Sequence, residues 1–251
     1  MQTLSERADA LELQMSRDLD AKAAPIKARL YTSGECDPRL PRRDMSDILQ
    51  RGGHLLMGHD VRLPLMPDKP TLIDFFRLRF GPSTHLLQSA RLAKLNGHSE
   101  KIIIACLLHD ISVIGFICGD HGYWGAEMVA PYVDEEVAWA IRSHQALRFF
   151  PDPEIGYEYP ETYIRFFGKD FSPEPYVYEA YKAARAHRWY MTGRLITLND
   201  LYSFDPDVKV DLEDFTDIIG RNFRQPEEGL GFDHSPAAHI WRTINWPTRA
   251  L

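Results

Sequence analysis

The 251-residue chain has little of what several protein classes need. Its three cysteines, Cys36, Cys106 and Cys118, form no CxxC pair, and Cys106 lies in an apolar run and reads as core. No apolar stretch reaches transmembrane length, and the start, MQTLSERADALELQMSRDLDA, lacks the apolar segment of a secretory signal. The expectation is a cytoplasmic protein with no membrane partner. There is no basic excess: the net charge is -7 and the pI about 5.8. That argues against nucleic acid as a main partner, but not against a small anion, because charge within a pocket can oppose the global sign. No segment alternates with period two, no Rossmann or P-loop glycine pattern occurs, and there is no internal repeat.

What remains is helical. Apolar residues make up 44% of the chain, enough for a sizeable core, and charged residues 26%. Residues 1–30 read as an amphipathic helix with a weak stripe of Leu4, Leu11, Leu13 and Met15, packing on the body or on a second subunit. Residues 31–45 read as loop, 46–51 as a short helix, and 52–70 as irregular. Helices are expected over 71–80, from His85 to Asn96-Gly97, and from Glu100 to the pair His109-Asp110. Residues 111–120 form a buried connection. A helix then opens at His121 and stops at Pro131, and another, capped by Asp134, carries Val137, Ile141, His144 and Arg148 on one face. Residues 151–175 form an aromatic lid or rim with a short helix near Tyr163. One long helix, softened at Gly193, spans 175–202, and 211–224 form a further helix. The tail from 229, with two tryptophans, packs down.

The most apolar run, Ile102–Leu108, ends in His109-Asp110. Buried polar groups need partners, and a metal serves several imidazoles and a carboxylate at once. The candidates are His85, His109, Asp110, His121, His144 and Asp200. Six ligands exceed the need of one ion, and Asp110, with two oxygens, can bridge a pair. Taken singly, each histidine also reads as a satisfied core or surface group; their joint pattern favours metal. A second dipeptide, His59-Asp60, has no buried helix before it and is set aside as a decoy, and His54 is read as a loop or pocket residue.

The arrangement resembles the HD-domain metalloprotein superfamily. His85, His109-Asp110 and Asp200 match its H…HD…D pattern, with His121 and His144 as the extra histidines of dinuclear members. The resemblance covers about 71–205, between an extension over 1–70 and a C-terminal helix and tail over 206–251. It implies an all-α helical bundle with a central metal site. By the same resemblance, His85, His109, Asp110 and Asp200 hold one ion, and Asp110, His121 and His144 the other. Many members hydrolyse phosphate esters. A smaller branch, including myo-inositol oxygenase and the phosphonate-cleaving oxygenases, uses an Fe(II)/Fe(III) pair and O2. His85-Leu86-Leu87-Gln88-Ser89-Ala90 and the ligand gaps resemble the phosphonate-cleaving enzymes, and Asn199-Asp200-Leu201-Tyr202 resembles the last-ligand segment of the inositol enzyme. The chain departs from the phosphonate-cleaving pattern at Val113, Phe75 and Leu78, where those enzymes have a histidine, a tyrosine and a glutamate. The expected activity is therefore di-iron, O2-dependent oxidation and cleavage of a small polar, anionic substrate, phosphonate- or polyol-like. The alternative is a phosphohydrolase working with Mn or another divalent metal on a nucleotide or other phosphomonoester.

For the substrate, Arg148 lies one turn past His144, where the phosphonate-cleaving enzymes have a substrate-binding lysine. It reads either as an anion clamp or as a surface arginine favoured by the helix dipole. Lys182 and Arg185 share a face and read as a second clamp or as a solvated basic face. Glu127 reads as a support for a ligand histidine or as a surface ion pair, and Tyr157, Tyr159 and Tyr163 as lid residues or packing. His187 reads as half-exposed and not a ligand.

Overall fold

The computed structural model of the chain describes residues 3, 6–15, 17–18, 71–78, 80, 83–114 and 120–224. The expectations for 19–70, the tail, and His54 and His59-Asp60 lie outside the described residues. The chain divides into two compact units, Met1–Gln14 with Ser83–Arg224, and Met15–Pro82 with Gln225–Leu251. Among the described residues there is no strand, only an isolated antiparallel bridge between Asp152 and Tyr157. None of their helices is long and apolar enough to cross a membrane. The architecture of the described residues is an all-α bundle.

The first unit begins with helical residues 6–14, α1. Its start is a capping box: the Thr3 amide donates to Glu6 Oε2 at 2.8 Å and the Glu6 amide to Thr3 Oγ1 at 3.2 Å. In the second unit, α2 (Leu72–Leu78) is started the same way, by Thr71 and Asp74. Its Phe75 and Phe76 pack with Phe80.

The site is carried by the following elements of the first unit. Helix α3 (Thr84–Leu95) packs on α4 (Glu100–Leu108). Asn96 and the left-handed Gly97, φ 69°, end α3. Helix α4 is apolar nearly all round, so it is buried from Ile103 to Leu108. The chain breaks at His109-Asp110 into a single turn, α5 (Ile111–Ile114). Helices α6 (His121–Val129) and α7 (Glu135–Arg148) follow, with α7 in the middle of the unit against α4, α6 and the later helices.

The aromatic excursion contains α8 (Glu161–Phe167), the short helix expected near Tyr163. The long helix expected over 175–202 is two: α9 (Pro175–Arg185) and α10 (Tyr190–Leu201). The break falls at 186–189 and not at Gly193. His187 stacks on Trp139 at 4.2 Å and accepts from the Trp189 amide, which turns the chain so that α10 runs along α7. Gly193 serves that contact instead: a Cβ there would lie 3.0 Å from Leu147 Cδ1.

Beyond α10 the chain stays attached to helices α3 and α4. Gln88 on α3 donates to the carbonyls of Asp205 and Val208 and accepts from the Asp205 amide. Helix α11 (Thr216–Asn222) follows a short 3-10 turn (Leu212–Phe215) and is tied to Glu100 by Arg221 and Asn222.

Candidate metal centre

The six residues singled out as ligands converge, though they come from five separate places in the bundle. His85 is in the first turn of α3, His109 and Asp110 in the break after α4, His121 at the head of α6, His144 on α7 and Asp200 in the last turn of α10. The break matters: consecutive residues of a continuous helix project about 100° apart, whereas the turn after Leu108 lets His109 and Asp110 reach the same cluster. Asp120, with φ 48° in the left-handed region, makes a sharp entry into α6 just before His121.

Asp110 is shared. Its Oδ2 lies 3.7 Å from His85 Nε2 and 3.6 Å from His109 Nε2, and its Oδ1 lies 3.4 Å from His121 Nε2 and 3.2 Å from His144 Nε2. Asp200 closes the first set, with Oδ1 2.8 Å from His85 Nε2 and 3.6 Å from His109 Nε2. Two metal-sized groups result, His85–His109–Asp110 and Asp110–His121–His144. Metal bonds of about 2.1 Å place neighbouring ligand atoms about 3.0–3.4 Å apart in octahedral or tetrahedral shells. The observed separations bracket that range.

Outer hydrogen bonds fix which nitrogen faces inward. His109 Nδ1 donates to the Cys106 carbonyl at 2.7 Å and His144 Nδ1 to the Ile141 carbonyl at 2.6 Å. Ser203 Oγ gives its only proton to the Asp200 carbonyl, so at 2.7 Å it accepts from His85 Nδ1. All three Nδ1 atoms carry hydrogen, leaving the Nε2 lone pairs aimed at carboxylate oxygens. Lone pairs facing anionic oxygens repel, and Asp200 Oδ1 is buried with no hydrogen-bond donor among the described residues. A cation resolves both problems, and supporting bonds of this kind accompany metal-bound histidines. The donor set therefore fits two ions.

A proton meets the same need, and the carboxylates draw one onto a histidine. Burial disfavours charge on His109, but Asp110 and Asp200 outweigh it and push its pKa up to about 9. Burial likewise opposes ionisation of Asp110 and Asp200, yet both sit well below the usual carboxylate range, Asp110 through His109 and His121, Asp200 through Arg148, His109 and His85. The cluster holds two carboxylates ionised in a buried place, a state that a cation stabilises. Exposure is confined to one side: the side chains of His109, His144 and Asp200 are 0% exposed, those of His121 and Asp110 18% and 19%.

Of the substrate candidates, Arg148 is at the cluster. It is buried, pairs through Nη1 with Asp200 Oδ2, and lies 4.9 Å over the Tyr163 ring. Its Nε is buried without a hydrogen-bond partner among the described residues. Tyr157 donates to the Arg148 carbonyl at 2.9 Å, and burial pushes the Tyr163 hydroxyl up to about 12.

Lys182 and Arg185 are not brought there. Lys182 is exposed and pairs with Glu179 one turn away, and Arg185 pairs with Asp152 and Glu154 and bonds Tyr190. Glu127 forms an exposed ion pair with Arg142. Two supporting residues carried no sequence signal of their role: Ser203, one turn past Asp200, and Gln88, which locks α3 to the segment bearing Ser203.

His121 depends on a close helix contact. A Cβ on Gly122 would lie 2.9 Å from the Arg142 carbonyl and 3.1 Å from that of Ile141, both backbone. Gly122→Ala is expected to lose about 1–3 kcal/mol of stability and to weaken metal retention at the His121–His144 group. Denaturant unfolding and metal analysis check both.

Residues 83–158 match a family model described as the HD domain. This segment contains five of the six clustered residues, all but Asp200. No curated protein matches the chain. Together with the two ligand groups, the match supports placing the chain in the HD-domain superfamily, whose domain implies a metal-dependent enzyme.

Proposed function

We propose that this protein is a di-iron oxygenase that uses O2 to oxidise and cleave a small polar, anionic substrate of phosphonate or polyol type. The observation that carries the reading is Asp110, whose two oxygens face two separate pairs of histidines. Four imidazoles and two carboxylates suit iron. Iron would be held by His85, His109, Asp110 and Asp200 on one side and by Asp110, His121 and His144 on the other, and would supply the oxygen activation and attack on a C–H bond.

The chain's own groups supply position and charge. The Nδ1 bonds to Cys106, Ile141 and Ser203 hold the rings in one orientation. Arg148 offers the part of its guanidinium not spent on Asp200 to an anionic group of the substrate, while its Nη1 keeps Asp200 in place. Tyr163, Phe149 and Phe167 pack against one another beside Arg148 and shield that end from water.

The test is O2 uptake by the iron-loaded protein with small phosphonates and polyols. Consumption of O2 in step with product supports the oxygenase. Anaerobic turnover of a phosphomonoester with Mn, releasing phosphate, supports a hydrolase instead.

A further inference from the structure

Helix α1 is held at two points by ion pairs with parts of the chain that also build the site. Arg7 pairs with Asp207 and Asp9 with Arg165. Asp207 lies within the stretch that supports His85 through Ser203 and α3 through the bonds of Gln88 to Asp205 and Val208. Arg165 is on α8, which carries Tyr163 against Arg148. One turn past Asp9, on the same side of the helix, is Glu12. It is half-buried and within electrostatic reach of Arg148, His85, Asp200 and Asp110. Burial raises its pKa, while Arg148 and His85 lower it. Tyr163 feels Glu12 as well. A surface glutamate would have none of these neighbours.

We propose that Glu12 is a specificity-determining residue: α1 carries its carboxylate to the mouth of the Arg148 subsite, where it limits how much negative charge a substrate can bring. The proposal rests on the reading of Arg148 as the anion partner given above. Arg148 already spends Nη1 on Asp200, so an incoming anion is left the rest of its guanidinium. With Glu12 near the same guanidinium, a compact dianion meets a like charge that a monoanion or a neutral polyol feels less. Glu12 thus disfavours bare phosphate and favours substrates whose charge is small or balanced within the molecule.

The test is calorimetric binding of inorganic phosphate and of formate, at pH 8, to the metal-loaded wild type, Glu12→Gln and Arg165→Gln. Glu12→Gln is expected to bind phosphate at least about fivefold more tightly, with a smaller gain for formate. Arg165→Gln, which releases one tie of α1, should shift phosphate binding in the same direction. Unchanged or weaker phosphate binding by Glu12→Gln overturns the proposal, as does an equal gain for both anions, which would mean a wider opening and not a relieved charge. Metal is counted in the same samples, and equal loading of all three proteins is expected. A wild type without metal contradicts the metal centre itself. The comparison of phosphate with formate then rests on Arg148 and Glu12 alone and still decides the role of Glu12.

Discussion

Asp110→Ala is expected to remove both metal ions at once, whereas His144→Ala should leave one. The difference follows from geometry. Asp110 Oδ2 faces His85 and His109, and Oδ1 faces His121 and His144, so loss of this side chain costs each group a ligand. His144 faces Asp110 through Oδ1 only and belongs to the second group. Removing groups that merely support metal ligands typically costs 10–100-fold, so losing the shared ligand should cost activity more than about 100-fold. Metal analysis of the two variants beside wild type checks this. If Asp110→Ala kept one ion and His144→Ala lost both, Asp110 would not be the bridge.

Arg148→Lys is expected to raise KM by about 10- to 100-fold while leaving two metals bound. A lysine keeps the positive charge beside Asp200 but gives up the planar fork that serves Asp200 and a substrate anion together. Arg148→Met should behave differently. It leaves Asp200 buried without its cation, a change worth about 3–5 kcal/mol of stability in such pairs, and it should lower metal content too. Steady-state kinetics, thermal unfolding and metal analysis on both variants separate the roles. An unchanged KM in the lysine variant, with metal lost, would make Arg148 a residue that positions Asp200 and nothing more.

That these six side chains belong together was legible partly from the pair His109-Asp110, which breaks a local rule, and partly through the resemblance to the H…HD…D pattern. His109-Asp110 ends the most apolar helix of the chain, where polar groups are costly. His85, His121 and His144 sit at helix starts or on buried faces, and Asp200 lies in the last turn of a helix. The charged residues around them were harder to place. Arg148 stood out by its place one turn past His144, but a clamp and a solvated face look alike for Lys182 and Arg185, and only the packing around α9 decides that Arg185 turns to Asp152 and Lys182 to Glu179. Helical periodicity also ran straight through 186–189, because the stacking of His187 on Trp139 is a contact between distant residues. Glu12 was invisible for the same reason. It lies far upstream of His85, in an ordinary amphipathic stretch, and the ion pairs of Arg7 and Asp9 that hold α1 join residues distant in sequence.

Iron content of the purified protein, read together with the electron paramagnetic resonance of its one-electron-oxidised form, tests the central claim most directly. The account predicts two iron ions per chain and the signal of a magnetically coupled Fe(II)/Fe(III) pair joined through Asp110. One ion per chain at full activity, or two ions with no coupling between them, would contradict it.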